Sequence, residues 1–266
     1  MQIHFVTPAN RGLYTGQLDQ MYRQRRQFFV DRMKWSDLDN GSDYEIDDFD
    51  HEHAVYVLAL GDLGELLGSY RLLPTWQPHL MGGPLAKYVE KSDRAKGAGV
   101  WEFSRWIPGF HKGREHREEV RGRLFVAAAE FALSHSVDAY VACVEVNVLN
   151  LLAEIGWPVE MLGEPTSYGT GTTVAIRFSL GHEELASTQM ACQIASPTAL
   201  ELPMHVAERS IQPHVFAAMG ELLCIEDDEL LAEALTVCST IAARDALIRS
   251  GDGELPLISQ TVKGHA

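Results

Sequence analysis

The sequence predicts an α/β sandwich built on one mixed β-sheet. Three observations predict it: short apolar runs of strand length recur along the chain, longer segments carry apolar residues at three- and four-residue intervals, and the two kinds of segment alternate. Chains that alternate strands and helices in this way bury the faces of a single sheet under helices.

The predicted elements follow the order strand, helix, hairpin, strand, helix, strand, helix, strand. In the first helix, the side chains of Tyr14, Leu18 and Met21 recur at the helical period. The predicted segments are strand 1–6, helix 14–34, hairpin strands 54–60 and 65–73, strand 100–106, helix 121–136, strand 139–144, helix 149–155 and strand 172–180.

Residues 183–266 differ in character from the unit before them. They hold 4 Lys and Arg against 13 Asp and Glu, a net charge of −9, whereas residues 1–182 hold 18 against 24, a net charge of −6. Two helices are predicted at 213–223 and 226–249, after an irregular stretch at 188–203. The sequence therefore predicts a domain at 1–182 and an acidic, mainly helical C-terminal extension at 183–266.

Composition argues against several classes of function. A net charge of −15 over 266 residues is unsuited to sequence-independent binding of nucleic acid, which requires neutralised phosphates. The apolar runs are too short to span a membrane, and the N-terminus lacks the pattern of a secretory signal. Four cysteines without a CxxC pair indicate reduced thiols in a cytoplasmic protein. His51 and His53 lack a third ligand nearby, so no metal site is predicted.

The predicted strand at 100–106 carries an acid, a hydroxyl and a cation among large apolar residues. Glu102 and Ser104 are two residues apart, so both point to one face of the strand, and Arg105 follows. A carboxylate on an inner face requires an ion-pair or hydrogen-bond partner, or it has a functional role that explains its burial. The alternative is an edge strand with a solvated polar face.

Charged residues also stand at three earlier places in the chain. Asp47 and Asp50 lie in the acidic stretch 36–50, which is either solvated or binds a cation. Arg25 lies one helical turn before Phe29, on the same face. Arg71 lies in an apolar strand, where a guanidinium must be paired because burying it alone is costly.

A basic cluster precedes the helix predicted at 121–136. A glycine-containing basic loop that leads into a helix N-terminus is suited to binding an anion, and a solvated basic helix start fits the pattern equally well. The cluster consists of Lys112, Arg114, Arg117, Arg121 and Arg123.

Five spaced motifs together resemble the acyl-homoserine lactone synthase (LuxI-type autoinducer synthase) family over roughly residues 1–182. Each motif is weak alone, and the five stand in the order that the family shows. They are Arg25-x-x-x-Phe29 with Trp35, Glu45-x-Asp47-x-x-Asp50, the strand around Arg71, Glu102-x-Ser104-Arg105, and Gly156-Trp157-Pro158 with Leu162-Gly163.

This resemblance implies a fold, a reaction and two substrates. The fold is a three-layer, acetyltransferase-like (GNAT-like) α/β/α sandwich. The enzyme is an acyltransferase that makes a quorum-sensing signal. S-adenosylmethionine is a substrate, no cofactor is implied, and the second substrate is an acyl group on acyl carrier protein or coenzyme A. The products are the acyl-homoserine lactone, 5'-methylthioadenosine and the free thiol.

The resemblance also assigns roles to residues. Glu102, as general base, is catalytic together with Ser104 and Arg105. The residues assigned to S-adenosylmethionine are Arg25, Phe29, Trp35, Asp47, Asp50 and Arg71. The residues assigned to the acyl group are Phe103, Val144 and Trp157. Docking of the carrier falls to Lys112, Arg114, Arg117 and Arg121, since acyl carrier protein is acidic and coenzyme A is phosphorylated.

The chain departs from the family pattern in two ways. Val144 stands where many members that prefer 3-oxo acyl chains have Thr, which favours an acyl chain without a 3-oxo group. The extension after 182 is longer than usual, and a role in forming a homodimer is one expectation for it. Two other readings remain at this point: an N-acyltransferase of the related fold that uses an acyl-coenzyme A, and a non-catalytic module that binds an acyl carrier or another partner.

Overall fold

The computed structural model describes residues 1–109, 113–168, 171–195 and 199–200. Within them the chain forms one mixed sheet and four α-helices. The strands are β1 (Gln2–Val6), β2 (Val55–Leu60), β3 (Leu66–Pro74), β4 (Val100–Ile107), β5 (Ala139–Glu145), β6 (Val159–Met161), β7 (Thr166–Tyr168), β8 (Gly171–Phe178) and β9 (Ala199–Leu200). The helices are α1 (Thr15–Arg25), α2 (Arg114–Ser134), α3 (Asn147–Glu154) and α4 (His182–Cys192).

The sheet has the order β6-β8-β5-β4-β3-β2-β1-β9, and β7 pairs with β8 at one side. Pairing is antiparallel except between β4 and β5 and between β1 and β9, which run parallel. The predicted mixed sheet and the predicted order of elements are confirmed. The short strands β6, β7 and β9 were not predicted, because runs of two or three residues carry no periodicity.

Helices cover both faces of this sheet. On one face, Tyr14, Leu18 and Met21 of the first helical segment pack on buried side chains of β2 and β3. On the other face, Leu124, Phe125 and further apolar residues of α2 pack on β1 to β5, and α3 joins them beside β5. The α/β/α layering follows, and helix α2 begins at Arg114, seven residues before the predicted start.

The helix predicted at 14–34 widens after Arg25. Residues Arg26–Arg32 are π-helical, and the N–H of Met33 bonds to the C=O of Phe28. Lys34 then adopts a left-handed conformation (φ 59°), and the N–H of Trp35 returns to the C=O of Phe29. This ending folds the Trp35 side chain back onto Phe29. Single π-helical turns often mark functional sites, and this one lies beside the candidate site described below.

A bulge interrupts β4 at Arg105. Ser104 stands opposite Arg71 of β3, whereas Ile107 stands opposite Ser69, so β4 has one residue more than β3 over this interval. Arg105 has a left-handed backbone (φ 54°), which is unusual for a residue with a Cβ. As a result, Arg105 binds carboxylates on the same side of the sheet as Ser104, and strict alternation would have sent it to the opposite side.

Strands β4 and β5 separate along their length. They pair only from Val100 to Glu102, opposite Ala139 to Val141. Beyond Glu102 both strands continue without pairing, since β4 reaches Ile107 and β5 reaches Glu145. The sheet is therefore open at this point, and Glu102 stands where the opening begins.

Helix α4 packs against the domain that precedes it. Trp157 donates its indole N–H to Thr188 Oγ1 at 2.7 Å, and Cys192 and Ile194 lie against Gly122 of α2. The irregular stretch predicted from 188 is therefore wrong up to Cys192, which is helical. The division at 182 stays a prediction, and the helices predicted at 213–223 and 226–249 lie outside the described residues.

Removal of the Thr188 hydroxyl is expected to weaken the docking of α4. The Thr188→Val variant leaves the buried indole N–H of Trp157 without its acceptor, so the free energy of unfolding should fall by about 1–3 kcal/mol. Urea denaturation measures this change. Met190→Gln, at a position 81% exposed on the same helix, should stay within about 0.5 kcal/mol of the original protein. Equal effects of the two substitutions would contradict the docking role of Thr188.

Candidate active site

Three arginines and three carboxylates form a buried network on the α1 face of the sheet. Arg25 donates to both oxygens of Asp50, at 2.7 and 2.9 Å, and to Glu45 at 2.6 Å. Arg71 donates to both oxygens of Asp47, at 2.5 and 3.1 Å. Every member bonds to at least one other. The three positive charges of the arginines and the three negative charges of the carboxylates therefore balance within the network.

Different elements supply the two signs of charge. Arg25 ends α1, Arg71 lies in the middle of β3, and Arg105 lies at the β4 bulge. The carboxylates come from the loop before β2. Arg105 bonds to Glu45 at 2.9 Å and to Asp47 at 2.7 Å, and so joins the two arms of the network.

The arginines keep these carboxyl groups ionised. Burial alone would raise the pKa of Asp50, but Arg25 and Arg71 outweigh burial and hold the pKa well below its usual range. Burial likewise acts to raise the pKa of Glu45, and Arg25 and Arg105 reverse that effect and lower it. The network is therefore fully charged at neutral pH.

The charged groups of the network bind one another. Asp47, Asp50 and the arginines are predicted to meet the charges of a substrate, and that role stays a prediction. The Arg25, Arg71 and Asp50 side chains are only 1–2% exposed, whereas Asp47 is 18% and Arg105 is 9% exposed. Among these six side chains, Asp47 and Arg105 have the most surface available to a ligand.

Glu45 is a member of the network that was not predicted as a site residue. Its carboxylate binds Arg25 and Arg105 and is 2% exposed. The available signal was charge balance: three of the four acids in the loop 45–50, at positions 45, 47 and 50, match three arginines elsewhere that would each need a partner when buried.

A cavity of about 480 Å³ lies beside this network, in the opening between β4 and β5. It passes through the sheet, because residues from both faces line it. Ser104, Arg105 and Cys143 line the side that faces the network, and Phe103 and Val144 line the side that faces α2 and α3. The cavity thus has two halves that meet between the separating strands.

Aromatic side chains form one wall of the half beside the network. Phe29 and Trp35 stack with ring centroids 5.2 Å apart and planes inclined by 23°. The Arg105 guanidinium lies 5.6 Å from the centre of the Phe29 ring. Tyr168 of β7, which was not predicted as a site residue, meets Trp35 edge-on at 5.6 Å. Such rings suit a planar or cationic ligand group.

Glu102 lines the cavity where the two halves meet. Its carboxylate is buried and accepts the backbone N–H groups of Leu80, at 3.2 Å, and Met81, at 2.6 Å. Burial raises the pKa of Glu102 to about 7, and these donors and Arg71 offset the rise only in part. A carboxyl group with a pKa near neutrality is suited to accept a proton. The alternative of a solvated edge strand is therefore wrong, because β4 lies between β5 and β3 inside the sheet.

Ser104 and Arg71 connect Glu102's strand to the network. Arg71 donates from Nε to Ser104 Oγ at 3.2 Å, and Ser104 also lines the cavity. The hydroxyl is thus held by a residue of the network.

The titration of Glu102 predicts the pH dependence of turnover. The ionised carboxylate is the active form of a general base, so kcat/KM should rise with pH up to about 7 and level off above it. Below pH 7 the rate should fall about tenfold per pH unit, because the carboxyl binds a proton. Initial rates between about pH 5 and 9 measure the profile. The same inflection in the Glu102→Gln variant would assign it to another group, such as the substrate amine.

The half of the cavity on the α2 face is lined almost wholly by apolar residues. Phe103, Val144 and Trp157, which the resemblance assigned to the acyl group, all line it. Trp106, Phe125 and Phe178 lie there as well, beside Val148 and Leu152 of α3. The structure brings the three predicted residues together and adds aromatic neighbours that were not predicted.

The predicted basic cluster lies at the start of α2, beside a second cavity of about 270 Å³. Arg114, Arg117 and Arg121 line this cavity together with Arg32 and Phe28. Phe28 and Pro108 line the main cavity too, so the two cavities adjoin. Lys112 lies outside the described residues. We refer to Arg32, Arg114, Arg117 and Arg121 as the basic groove.

Within the described ranges, no three His, Cys, Asp or Glu side chains are grouped to hold a metal ion, and His51 instead bonds to the C=O of Pro78 at 2.9 Å. No helix among the same residues is both long and apolar enough to cross a membrane.

Comparison with known proteins identifies the family. A model of the autoinducer synthase family matches residues 10–187. The chain belongs to the autoinducer synthase family. The predicted membership is therefore confirmed, and with it the prediction of an acyltransferase that makes acyl-homoserine lactone.

Two curated relatives of the synthase share a little over a quarter of its residues. The isovaleryl-homoserine lactone synthase of Bradyrhizobium diazoefficiens is 29% identical over 184 residues, covering 69% of this chain and 82% of the relative. The acyl-homoserine-lactone synthase of Agrobacterium fabrum is 28% identical over 196 residues, covering 72% of this chain and 91% of the relative.

Solved structures of similar proteins support the fold. A coenzyme A-dependent acyl-homoserine lactone synthase, solved with S-adenosylmethionine and isopentyl-coenzyme A, is 26% identical with a TM-score of 0.68, over 79% of this chain and 99% of that one. Another coenzyme A-dependent synthase is 28% identical with a TM-score of 0.66. The match covers 74% of this chain and 98% of that one. The predicted α/β/α fold class is confirmed for the synthase.

Proposed function

We propose that the synthase binds S-adenosylmethionine in the half of the cavity beside the arginine–carboxylate network and the acyl thioester in the half beside α2 and α3. The observation that carries this proposal is the position of Glu102. Its carboxylate, with a pKa of about 7, stands where the two halves meet in the opening between β4 and β5.

The reaction then proceeds in two steps. Glu102, directly or through a water, accepts a proton from the α-ammonium of S-adenosylmethionine, and the free amine attacks the thioester carbonyl. An amide bond forms, the carbon–sulfur bond of the thioester breaks, and the carrier leaves as a thiol. The substrate carboxylate next attacks the carbon beside the sulfonium within the same molecule, which closes the lactone and releases 5'-methylthioadenosine. The enzyme assists this ring closure mainly by holding the substrate folded.

The two least buried members of the network, Arg105 and Asp47, recognise the charges of S-adenosylmethionine. Arg105 pairs with the substrate carboxylate, and Asp47 pairs with the α-ammonium before it loses its proton. Phe29 and Trp35 enclose the adenosyl part and face the sulfonium. In this proposal Arg25, Arg71 and Asp50 are positioning residues, because their side chains are buried within the network.

The basic groove docks the phosphorylated end of the acyl donor. Acyl-coenzyme A and acyl carrier protein both carry the acyl group on a phosphopantetheine arm, so one anion site next to the cavity serves either donor. The solved relatives that depend on coenzyme A favour that donor for this chain. The predicted homodimer, which is one expectation for the extension after 182, and the predicted cytoplasmic location, which is expected from the cysteine pattern, complete the proposal.

Removal of positive charge from the groove should weaken donor binding selectively. The Arg117→Ala variant is expected to raise KM for the acyl donor roughly tenfold, through the loss of one charged contact, and to leave KM for S-adenosylmethionine unchanged. Arg123→Ala is the matched control, because Arg123 lies on the same helix and pairs with Glu119 at 3.0 Å. A rise in KM for both substrates in Arg117→Ala would contradict a docking role.

Product analysis with purified protein tests the proposed function. S-adenosylmethionine and a pool of acyl-coenzyme A donors should yield 5'-methylthioadenosine and a lactone, with lactones that lack a 3-oxo group in excess because Val144 offers no hydroxyl. Release of free thiol without methylthioadenosine would indicate another N-acyltransferase reaction. A dominant 3-oxo product would contradict the inference from Val144 and leave the function standing.

A further inference from the structure

Five aromatic rings line the half of the cavity beside α2 and α3 and contact one another in series. Successive ring centroids are 5.2 Å apart between Trp106 and Phe125, 5.1 Å between Phe125 and Trp157, 5.2 Å between Trp157 and Phe178, and 6.4 Å between Phe178 and Phe103. We call this part of the cavity the aromatic chamber. All five residues line the cavity.

Two rings of the aromatic chamber are held firmly in place. Trp157 and Phe178 stack with planes inclined by 23°, and both side chains are buried. The hydrogen bond from Trp157 to Thr188 of α4 holds the indole in place. Gly156, with φ +81°, allows the chain to pass so close to Ser187 that a Cβ there would collide with the Ser187 hydroxyl. The stacked side chains of Trp157 and Phe178 therefore cannot move easily to make room for a longer ligand.

The volume of the cavity also limits the length of the acyl group. The whole cavity measures about 480 Å³, and in the proposed function the amino acid and adenosyl parts of S-adenosylmethionine occupy the other half of it. A long alkyl chain would have to coil inside the aromatic chamber and lose the freedom of its rotatable bonds. A single flat ring instead meets ring faces and edges on several sides and has few bonds to immobilise.

We propose that the preferred acyl donor carries one compact aromatic ring close to the thioester carbonyl, and that the aromatic chamber selects it over an extended alkyl chain. This inference rests on the proposed function, because it names the substrate class for the acyl half of the same cavity. Phe103 and Trp106 of β4 and Phe125 of α2 form the walls, and Trp157 with Phe178 sets the depth.

Three donors of different shape test the inference. Purified full-length protein is assayed for 5'-methylthioadenosine release with phenylacetyl-coenzyme A, isovaleryl-coenzyme A and octanoyl-coenzyme A. The kcat/KM for the phenylacetyl donor should exceed both others by about fivefold or more, the advantage that aromatic contacts add to area burial. A higher value for the octanoyl donor would show that the chamber admits an extended chain. A higher value for the isovaleryl donor would show that only compactness matters, and either result would overturn the inference.

Two substitutions on β4 test whether the aromatic chamber causes the preference for the phenylacetyl donor. Phe103→Leu removes one ring from the wall and should lower the ratio of phenylacetyl to octanoyl kcat/KM roughly fivefold. Trp101→Leu is the control: Trp101 lies two residues earlier on the same face of β4 and meets Phe131 at 5.5 Å, and the ratio should stay unchanged. An equal change in both variants would overturn the assignment to the chamber.

A binding measurement separates this inference from the proposed function. Thioether analogues of the phenylacetyl and octanoyl donors cannot transfer their acyl-like group, and their dissociation constants are obtained by calorimetry. If no donor releases methylthioadenosine, the proposed function fails, and the analogues still decide the inference. Tighter binding of the phenylacetyl analogue supports an aryl-selective chamber, and equal or weaker binding overturns it.

Discussion

Replacement of Glu102 by glutamine is expected to lower kcat by about 10² to 10⁴, the usual contribution of a general base. The amide keeps the size of the side chain and one acceptor for the N–H groups of Leu80 and Met81, so the fold should persist. What it removes is the ability to take a proton where the two halves of the cavity meet. Single-turnover kinetics with S-adenosylmethionine and an acyl-coenzyme A measure the loss at the chemical step.

A second carboxylate provides the control for this experiment. Glu145 on β5 also lines the cavity, and Asn147 donates to it at 3.2 Å. Glu145→Gln removes the same charge from the same cavity and should leave turnover near the original level. Near-normal turnover in Glu102→Gln, or an equal loss in both variants, would contradict the role of Glu102 as the base.

Replacement of Arg25 by methionine is expected to have the largest effect on stability. The substitution leaves Glu45 and Asp50 buried and short of a counter-charge, and breaking a buried ion pair from one side costs about 3–5 kcal/mol. That is a large fraction of the stability of an ordinary domain, about 5–15 kcal/mol. Equilibrium denaturation in urea measures the loss, with circular dichroism as the check on secondary structure.

The same helix offers a matched control for Arg25. Arg23 pairs with Asp19 at 3.0 Å, but its side chain is 46% exposed, so Arg23→Met should lower the free energy of unfolding far less than Arg25→Met does. The loss of unfolding free energy caused by Arg25→Met should become smaller as pH falls below about 4. The ionised carboxylates of Glu45 and Asp50, whose pKa values are lowered in the folded protein, stabilise the fold above that pH, and this stabilisation is lost when they bind protons. Equal costs for the two arginines at neutral pH would contradict the importance of the buried network.

Local periodicity in the sequence was enough to predict the order of the elements and the mixed sheet. The strand of Glu102 and the hairpin of Arg71 each carry their own pattern, so their approximate places in the chain could be predicted. The opening between β4 and β5 could not, because it depends on how far two distant strands remain paired. The resemblance to the family supplied the site residues that periodicity alone left ambiguous.

Three details of the site depend on interactions that a linear pattern does not show. The bulge at Arg105 reverses the side of the sheet that alternation assigns to this residue. The donors to Glu102 are backbone groups of Leu80 and Met81, in a stretch whose side chains gave no signal. Only Arg71 was expected to need a partner, and which carboxylate each of the three arginines binds follows only from the folded loop at 45–50.

A structure of the synthase with both substrates tests the central claim most directly. Crystals grown with S-adenosylmethionine and an acyl-coenzyme A thioether would show the amine, the acyl group and Glu102 together. We expect the α-amine within hydrogen-bond reach of the Glu102 carboxylate, directly or through one water, the substrate carboxylate on Arg105 and the acyl group between β4 and β5. An α-amine held on the far side of the network, out of reach of Glu102, would contradict it.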